Sequence, residues 1–224
     1  NYYGETTITG KSEISVNEAE DGGGIYNDHG TFYITGESSI HNNQATYNGG
    51  GICNNGGTTT VTGLSTVGSN EAYNNDGGGI YNTDGDVTIT NGKIKENSAW
   101  DGGGGIYKKS GILIVTQSTI NGNWAHYGGG IYCSSGPLTV KASTFSENGA
   151  IEFGGGMIIN KISSNGDDMV IGGNNSNDTI NFNDFINNYH GSDDGSALAS
   201  PYEHINNEFG DPVDHKFPYN NYTP

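Results

Sequence analysis

Apolar residues recur along this chain at a long, regular period. A Gly-Gly-Gly-Ile run ends at Ile25, Ile52, Ile80, Ile106 and Ile131, and a variant ends at Met157, in steps of 27, 28, 26, 25 and 26 residues. A second marker, Asn-x-Ala, begins at Asn17, Asn43, Asn70, Asn97, Asn123 and Asn148, and an apolar residue stands three positions before each: Ile14, Ile40, Val67, Ile94, Ile120 and Phe145. Five or six residues earlier lie Ile8, Ile34, Val61, Ile89, Val115 and Val140, set in Thr-rich alternation such as Thr88-Ile89-Thr90. Short β-branched alternation broken by Gly and Asn turns predicts three brief strands per repeat. No segment carries a 3.6-residue stripe, so no helix is predicted.

A strand-only repeat of this length cannot enclose its own core. Stacking one coil on the next pairs the backbone groups and buries Ile on Ile along an axis. The predicted fold is therefore all-β: a right-handed parallel β-helix of about seven coils of 25–28 residues, spanning residues 1–187. Each buried Ile or Val contributes about 2 kcal/mol. Gly24, Gly51, Gly79, Gly105, Gly130 and Gly156 are expected to permit positive φ and close backbone approach at the turns. Asn17, Asn43, Asn70, Asn97, Asn123 and Asn148 are expected to form a hydrogen-bonded ladder inside a turn.

The Gly-Gly-Gly-Ile-Tyr-Asn stretches at 22–27 and 77–82, with the Ser-x-Ile-x-x-Asn-x-Ala segment at 38–45, carry a family resemblance. They resemble the repeats of chlamydial polymorphic outer membrane proteins and of adhesin-like surface proteins of methanogenic archaea, over roughly residues 1–190. The resemblance implies a right-handed parallel β-helix on the cell exterior, with a role in adhesion or envelope structure. Two features depart from it: Cys53 and Ile158 replace the Tyr after Ile, and no autotransporter barrel is expected to follow.

Composition taken alone would point elsewhere. Leu, Ile, Val and Phe make up about 18% of the chain and the formal charge is −17, values typical of disorder; the fixed spacing of the apolar residues overrides them. All eight basic residues are Lys. Without Arg or a basic cluster, neither nucleic acid nor an anionic membrane surface is an expected partner. No apolar run approaches a membrane span, so insertion is not expected either. Asn1 reads as the start of a processed chain or of an excerpt from a longer one. The acidic surface suits an extracellular or cell-surface protein.

The search for chemistry gives few candidates, and neither a catalytic set nor a cofactor is expected. Asp21, Asp76 and Asp101 stand before Gly runs, in a column where other coils carry Asn48, Tyr127 and Phe153. On adjacent coils Asp76 and Asp101 would lie about 5 Å apart, close enough to share a cation. Residues 172–180 resemble a calcium-binding nonapeptide out of step by one residue, which adds Asp178 to the calcium candidates. The six His residues share no column. Trp100 and Trp124 precede consecutive Gly turns, where they could pack over the turns or stack as a sugar-binding pair.

Sequons mark Asn174, Asn177 and Asn221 as glycosylation candidates. Cys53 and Cys133 fall three coils apart, roughly 14 Å, so no disulfide is expected between them. Residues 188–224 read as a non-repeat arm, cap or linker. Open rung edges predict head-to-tail self-association, residues 1–10 meeting the region after 187 of the next copy. The function read from the sequence is an extracellular structural subunit of a filament, sheath or adhesive stalk. The alternative is a protein that binds or cleaves a surface polysaccharide.

Overall fold

A computed structural model describes residues 1–160 and, beyond them, the backbone of the strands Met169–Ile171, Asp184–Ile186, Tyr189–His190 and Leu198–Ala199. The strands form four parallel sheets of seven, each strand pairing with its counterpart one coil away. The first sheet begins with Glu5–Ile8 and Thr31–Ile34, the second with Glu13–Ser15 and Ser39–His41, the third with Glu18–Ala19 and Gln44–Ala45, and the fourth with Ile25–Asp28 and Ile52–Asn55. This is a parallel β-solenoid.

The register follows the apolar columns. Ile8, Ile34, Val61, Ile89, Val115 and Val140 align in the first sheet, and Ile14, Ile40, Val67, Ile94, Ile120 and Phe145 in the second. Ile25, Ile52, Ile80, Ile106, Ile131 and Met157 align in the fourth. From the second coil onward these side chains are wholly buried in one core. A one-residue slip would turn each column to solvent, and that penalty fixes the pairing.

The third sheet is an addition to the three strands expected per repeat. Most of its strands are two residues long, too short to show alternation. Its inward column is the Ala of each Asn-x-Ala marker, and Ala72, Ala99 and Ala125 form a small apolar cluster of their own.

The glycines divide the labour assigned to them. Left-handed φ belongs to the Gly three residues before the closing Ile or Met of each run, as at Gly77 (+70°), not to the last. The last supplies clearance: a Cβ on Gly79 would meet the Gly105 carbonyl at 2.6 Å and the Asn97 amide at 2.9 Å. Gly24, Gly51, Gly105 and Gly130 are hemmed in the same way, and Gly156 holds the same place in its run.

The Asn residues from Asn17 to Asn148 link coil to coil, each Nδ2 donating to the next Oδ1 at 2.9–3.1 Å. From Asn43 on, Nδ2 also donates to a main-chain carbonyl, as Asn97 does to Val67. The residue before each ladder Asn is left-handed: Val16, Asn42, Ser69, Glu96, Gly122 and Glu147.

A second ladder joins Asn1, Asn27, Asn54 and Asn82 at 2.8–2.9 Å. Its column continues through Lys108 and Cys133. Lys108 is wholly buried, and its ammonium donates to the Ser135 carbonyl beside the Cys133 sulfur. Cys53 lies in the neighbouring outward column between Tyr26 and Tyr81, three rungs from Cys133, and both thiols are free.

The pattern expected to stop near residue 187 continues as Tyr189–His190 and Leu198–Ala199, in the third and fourth sheets. Main-chain pairing to the coil below needs none of the Gly or Asn markers, so their loss does not end the solenoid. The side chains of the arm expected over 188–224, together with Asp178, Asn174, Asn177 and Asn221, lie outside the described residues.

Candidate functional site

The turns from the third to the fourth sheet differ in length from coil to coil, and one difference opens a pocket. The position before the left-handed Gly is Asp21, Asn48, Asp76, Gly102, Tyr127 and Phe153 in successive coils. Main-chain bonds run up this column: Gly49 N–H donates to the Asp76 carbonyl, Gly77 N–H to that of Gly102, and Gly103 N–H to that of Tyr127. Asp101 was expected in this column. Its coil carries four glycines, so Gly102 takes the place and Asp101 falls one residue earlier, donating its N–H to Asn75.

Because Gly102 has no side chain, a hollow of about 130 Å³ lies between coils, lined by Asp76, Asp101, Gly102, Tyr107, Tyr127 and Tyr132. A Cβ at Gly102 would meet the Tyr107 ring at 2.9 Å and Asp76 Oδ1 at 3.0 Å. Tyr107 sits in a ladder of outward-facing rings on the fourth sheet, stacked on Tyr81 at 5.5 Å and on Tyr132 at 5.0 Å. The two carboxylates thus share one pocket, though not one column.

Burial, with a smaller push from the Asp101 charge, holds the Asp76 carboxyl up at about 7, against the Gly102 N–H (2.9 Å to Oδ1) and Lys109, which lower it. Burial, and then Asp76, also raise Tyr107 and Tyr132. These phenols therefore keep their protons and remain hydrogen-bond donors as well as acceptors. Tyr127 is raised by its hydrogen bond to Glu152.

Beside the pocket the third sheet carries exposed aromatics. The Trp100 N–H donates to the Ala72 carbonyl, which sets Trp100 in the column of Tyr73 and, one coil on, of His126. Trp100 is 56% exposed and Tyr73 47%. Trp100 lies tilted by 31° against the His126 ring at 5.3 Å, and Trp124 meets the same ring edge-on at 6.4 Å. The two Trp were expected to stack on each other or to cover turns. The register pairs Trp124 with Ser98 instead, which leaves Trp100 facing solvent. Phe153, 54% exposed, lies against Tyr127 at 6.2 Å and extends the patch.

Among the described residues no three His, Cys, Asp or Glu side chains converge as metal ligands. Asp76 and Asp101 alone offer fewer oxygens than a calcium ion takes. The described residues contain no helix long and apolar enough to cross a membrane.

A family model described as the right-handed β-helix region matches residues 30–159. No curated protein and no solved structure matches the chain.

Proposed function

The chain belongs to the right-handed β-helix family, and from that premise we propose that it is a non-catalytic, cell-surface scaffold that binds a glycan along the outer face of its third sheet. The observation that carries this reading is the aromatic column of exposed Tyr73 and Trp100 and half-buried His126, with exposed Phe153 and the Asp76–Asp101 pocket alongside. A pyranose ring has an apolar C–H face that settles on an aromatic ring, and hydroxyls at its rim that seek carboxylates and phenols. Aromatic rings repeating at about 4.8 Å, the strand spacing, offer such a face to an extended chain of sugars. Soluble domains rarely leave contiguous aromatics exposed without a partner. The charge of −17 and the resemblance to Gly-Gly-Gly-Ile-Tyr-Asn surface proteins support display outside the cell.

Affinity electrophoresis against a panel of soluble polysaccharides tests the reading. At least one glycan retards the wild type, and Trp100→Ala restores free migration with an unchanged circular dichroism spectrum. Retardation equal in both proteins, or none with any glycan, rejects it. Appearance of reducing ends in the same mixtures would convert the binding face into a hydrolytic one.

A further inference from the structure

We propose that the glycan bound on this face carries protonated amino groups, and that one of them seats in the pocket formed by Asp76, Asp101, Tyr107, Tyr127 and Tyr132. This inference rests on the reading of the third sheet as a glycan-binding face and names the class of glycan.

The pocket selects by shape and by charge. Its volume of about 130 Å³ admits a small substituent, such as an ammonium group with its carbon, and not a whole sugar ring. Tyr107 is stacked between Tyr81 at 5.5 Å and Tyr132 at 5.0 Å, so both its faces are covered and it meets the hollow with its ring edge. That lining favours a cation with N–H donors over a quaternary ammonium, which would need open ring faces. Asp76 Oδ1 already accepts the Gly102 N–H. Its other oxygen, the Asp101 carboxylate and the Tyr107 phenol oxygen are acceptors for the three protons of an ammonium, while the Tyr132 oxygen accepts from Asn160 Nδ2 and the Tyr127 hydroxyl bonds Glu152.

The groups facing Asp76 are Asp101, Tyr107, Tyr132 and the cationic Lys109, with Tyr127 and its partner Glu152 on the next coils. Carboxylates outnumber the single ammonium, so an anionic substituent is repelled. A bound ammonium also stabilises the charged form of Asp76, which burial disfavours. Trp100 is exposed and immediately precedes Asp101 of the pocket lining in the chain, so a sugar stacked on the indole can direct its amino substituent toward the pocket.

The test is calorimetric titration of the full chain with glucosamine oligomers and with fully N-acetylated oligomers of the same length, in buffer acidic enough to keep the free amines protonated. The amino oligomer is expected to bind at least about tenfold more tightly, the effect of one charge-assisted contact. Asp101→Asn should remove that preference, bringing the affinity for the amino oligomer down to that for the acetylated one. Glu37→Gln, a carboxylate paired with Lys11 on the first turns, should keep the preference. Equal loss in Glu37→Gln and Asp101→Asn would assign the preference to net charge and overturn the inference. Equal binding of both oligomers, abolished by Trp100→Ala, would overturn the inference and leave the glycan face standing. No binding of either oligomer by a protein that another glycan retards would also reject this ligand class, while no binding to any glycan would reject both.

Discussion

Replacing Asn97 by Ala isolates what the turn ladder contributes to stability. Asn97 sits in its middle, 1% exposed. Its Nδ2 donates to Asn123 Oδ1 at 2.9 Å and to the Val67 carbonyl at 3.1 Å, and its Oδ1 accepts from the Asn70 main-chain N–H and from Asn70 Nδ2, both at 3.0 Å. Two of the four partner groups keep another bond and two lose one. Asn70 Nδ2 still reaches the Ile40 carbonyl, and Asn123 Oδ1 still accepts the Asn97 main-chain N–H. The Asn70 N–H and the Val67 carbonyl lose the side-chain partner that satisfies them inside the turn. At about 1–3 kcal/mol for each of these two buried groups, the substitution should cost about 2–6 kcal/mol. Asn17→Ala, at the exposed end of the same ladder, breaks only the bonds to Ser15 and Asn43 and should cost about 1 kcal/mol. Urea denaturation followed by far-ultraviolet circular dichroism measures both, as a shift in midpoint at constant slope. Equal costs at the two positions, or an Asn97→Ala cost under about 1 kcal/mol, would refute the claim that the ladder is a buried, cooperative element.

Three further outcomes follow from the same geometry. Gly78→Ala, whose Cβ would meet the Ser98 carbonyl oxygen at 2.2 Å, should prevent folding of that coil, whereas Gly10→Ala, at φ +77° in open space, should cost only about 1–2 kcal/mol by thermal melting. Val16→Gly should raise stability by about 1 kcal/mol, because a β-branched residue 80% exposed at φ +58° holds strain that Gly relieves. Asp76 is held near 7 in the folded chain against about 3.9 unfolded. Between those values the folded chain therefore binds more protons, and stability falls as pH rises from about 4 to 7. Asp76→Asn should remove on the order of 2 kcal/mol of that fall, read from denaturation midpoints at the two ends of the range.

The solenoid was legible because its core is written in side chains at a fixed spacing: nothing but stacking buries Ile25, Ile52, Ile80, Ile106 and Ile131 together. The third sheet was not, since two-residue strands have no alternation and their inward residue is a plain Ala. The pocket was half legible. Asp76 and Asp101 stood out before their Gly runs, but the count of glycines at 102–105 decides which residue faces Asp76, and only the coil-to-coil pairing reveals that count's consequence. The Asn27–Asn54–Asn82 ladder was hidden in the Gly-Gly-Gly-Ile-Tyr-Asn motif itself, where Asn54 follows a Cys instead of a Tyr and Lys108 interrupts the column. Trp100 illustrates the same limit: its neighbour along the axis is His126, a residue that no sequence column had assigned.

The chain has only two Trp residues, so an indole-labelled protein gives two N–H signals, and titrating in the glycan that retards it most tests the central claim directly. The account predicts a saturable shift of the Trp100 signal, lost in Trp100→Ala together with binding. A bound glycan that leaves both indole signals unmoved at saturation would place the binding face elsewhere and contradict it.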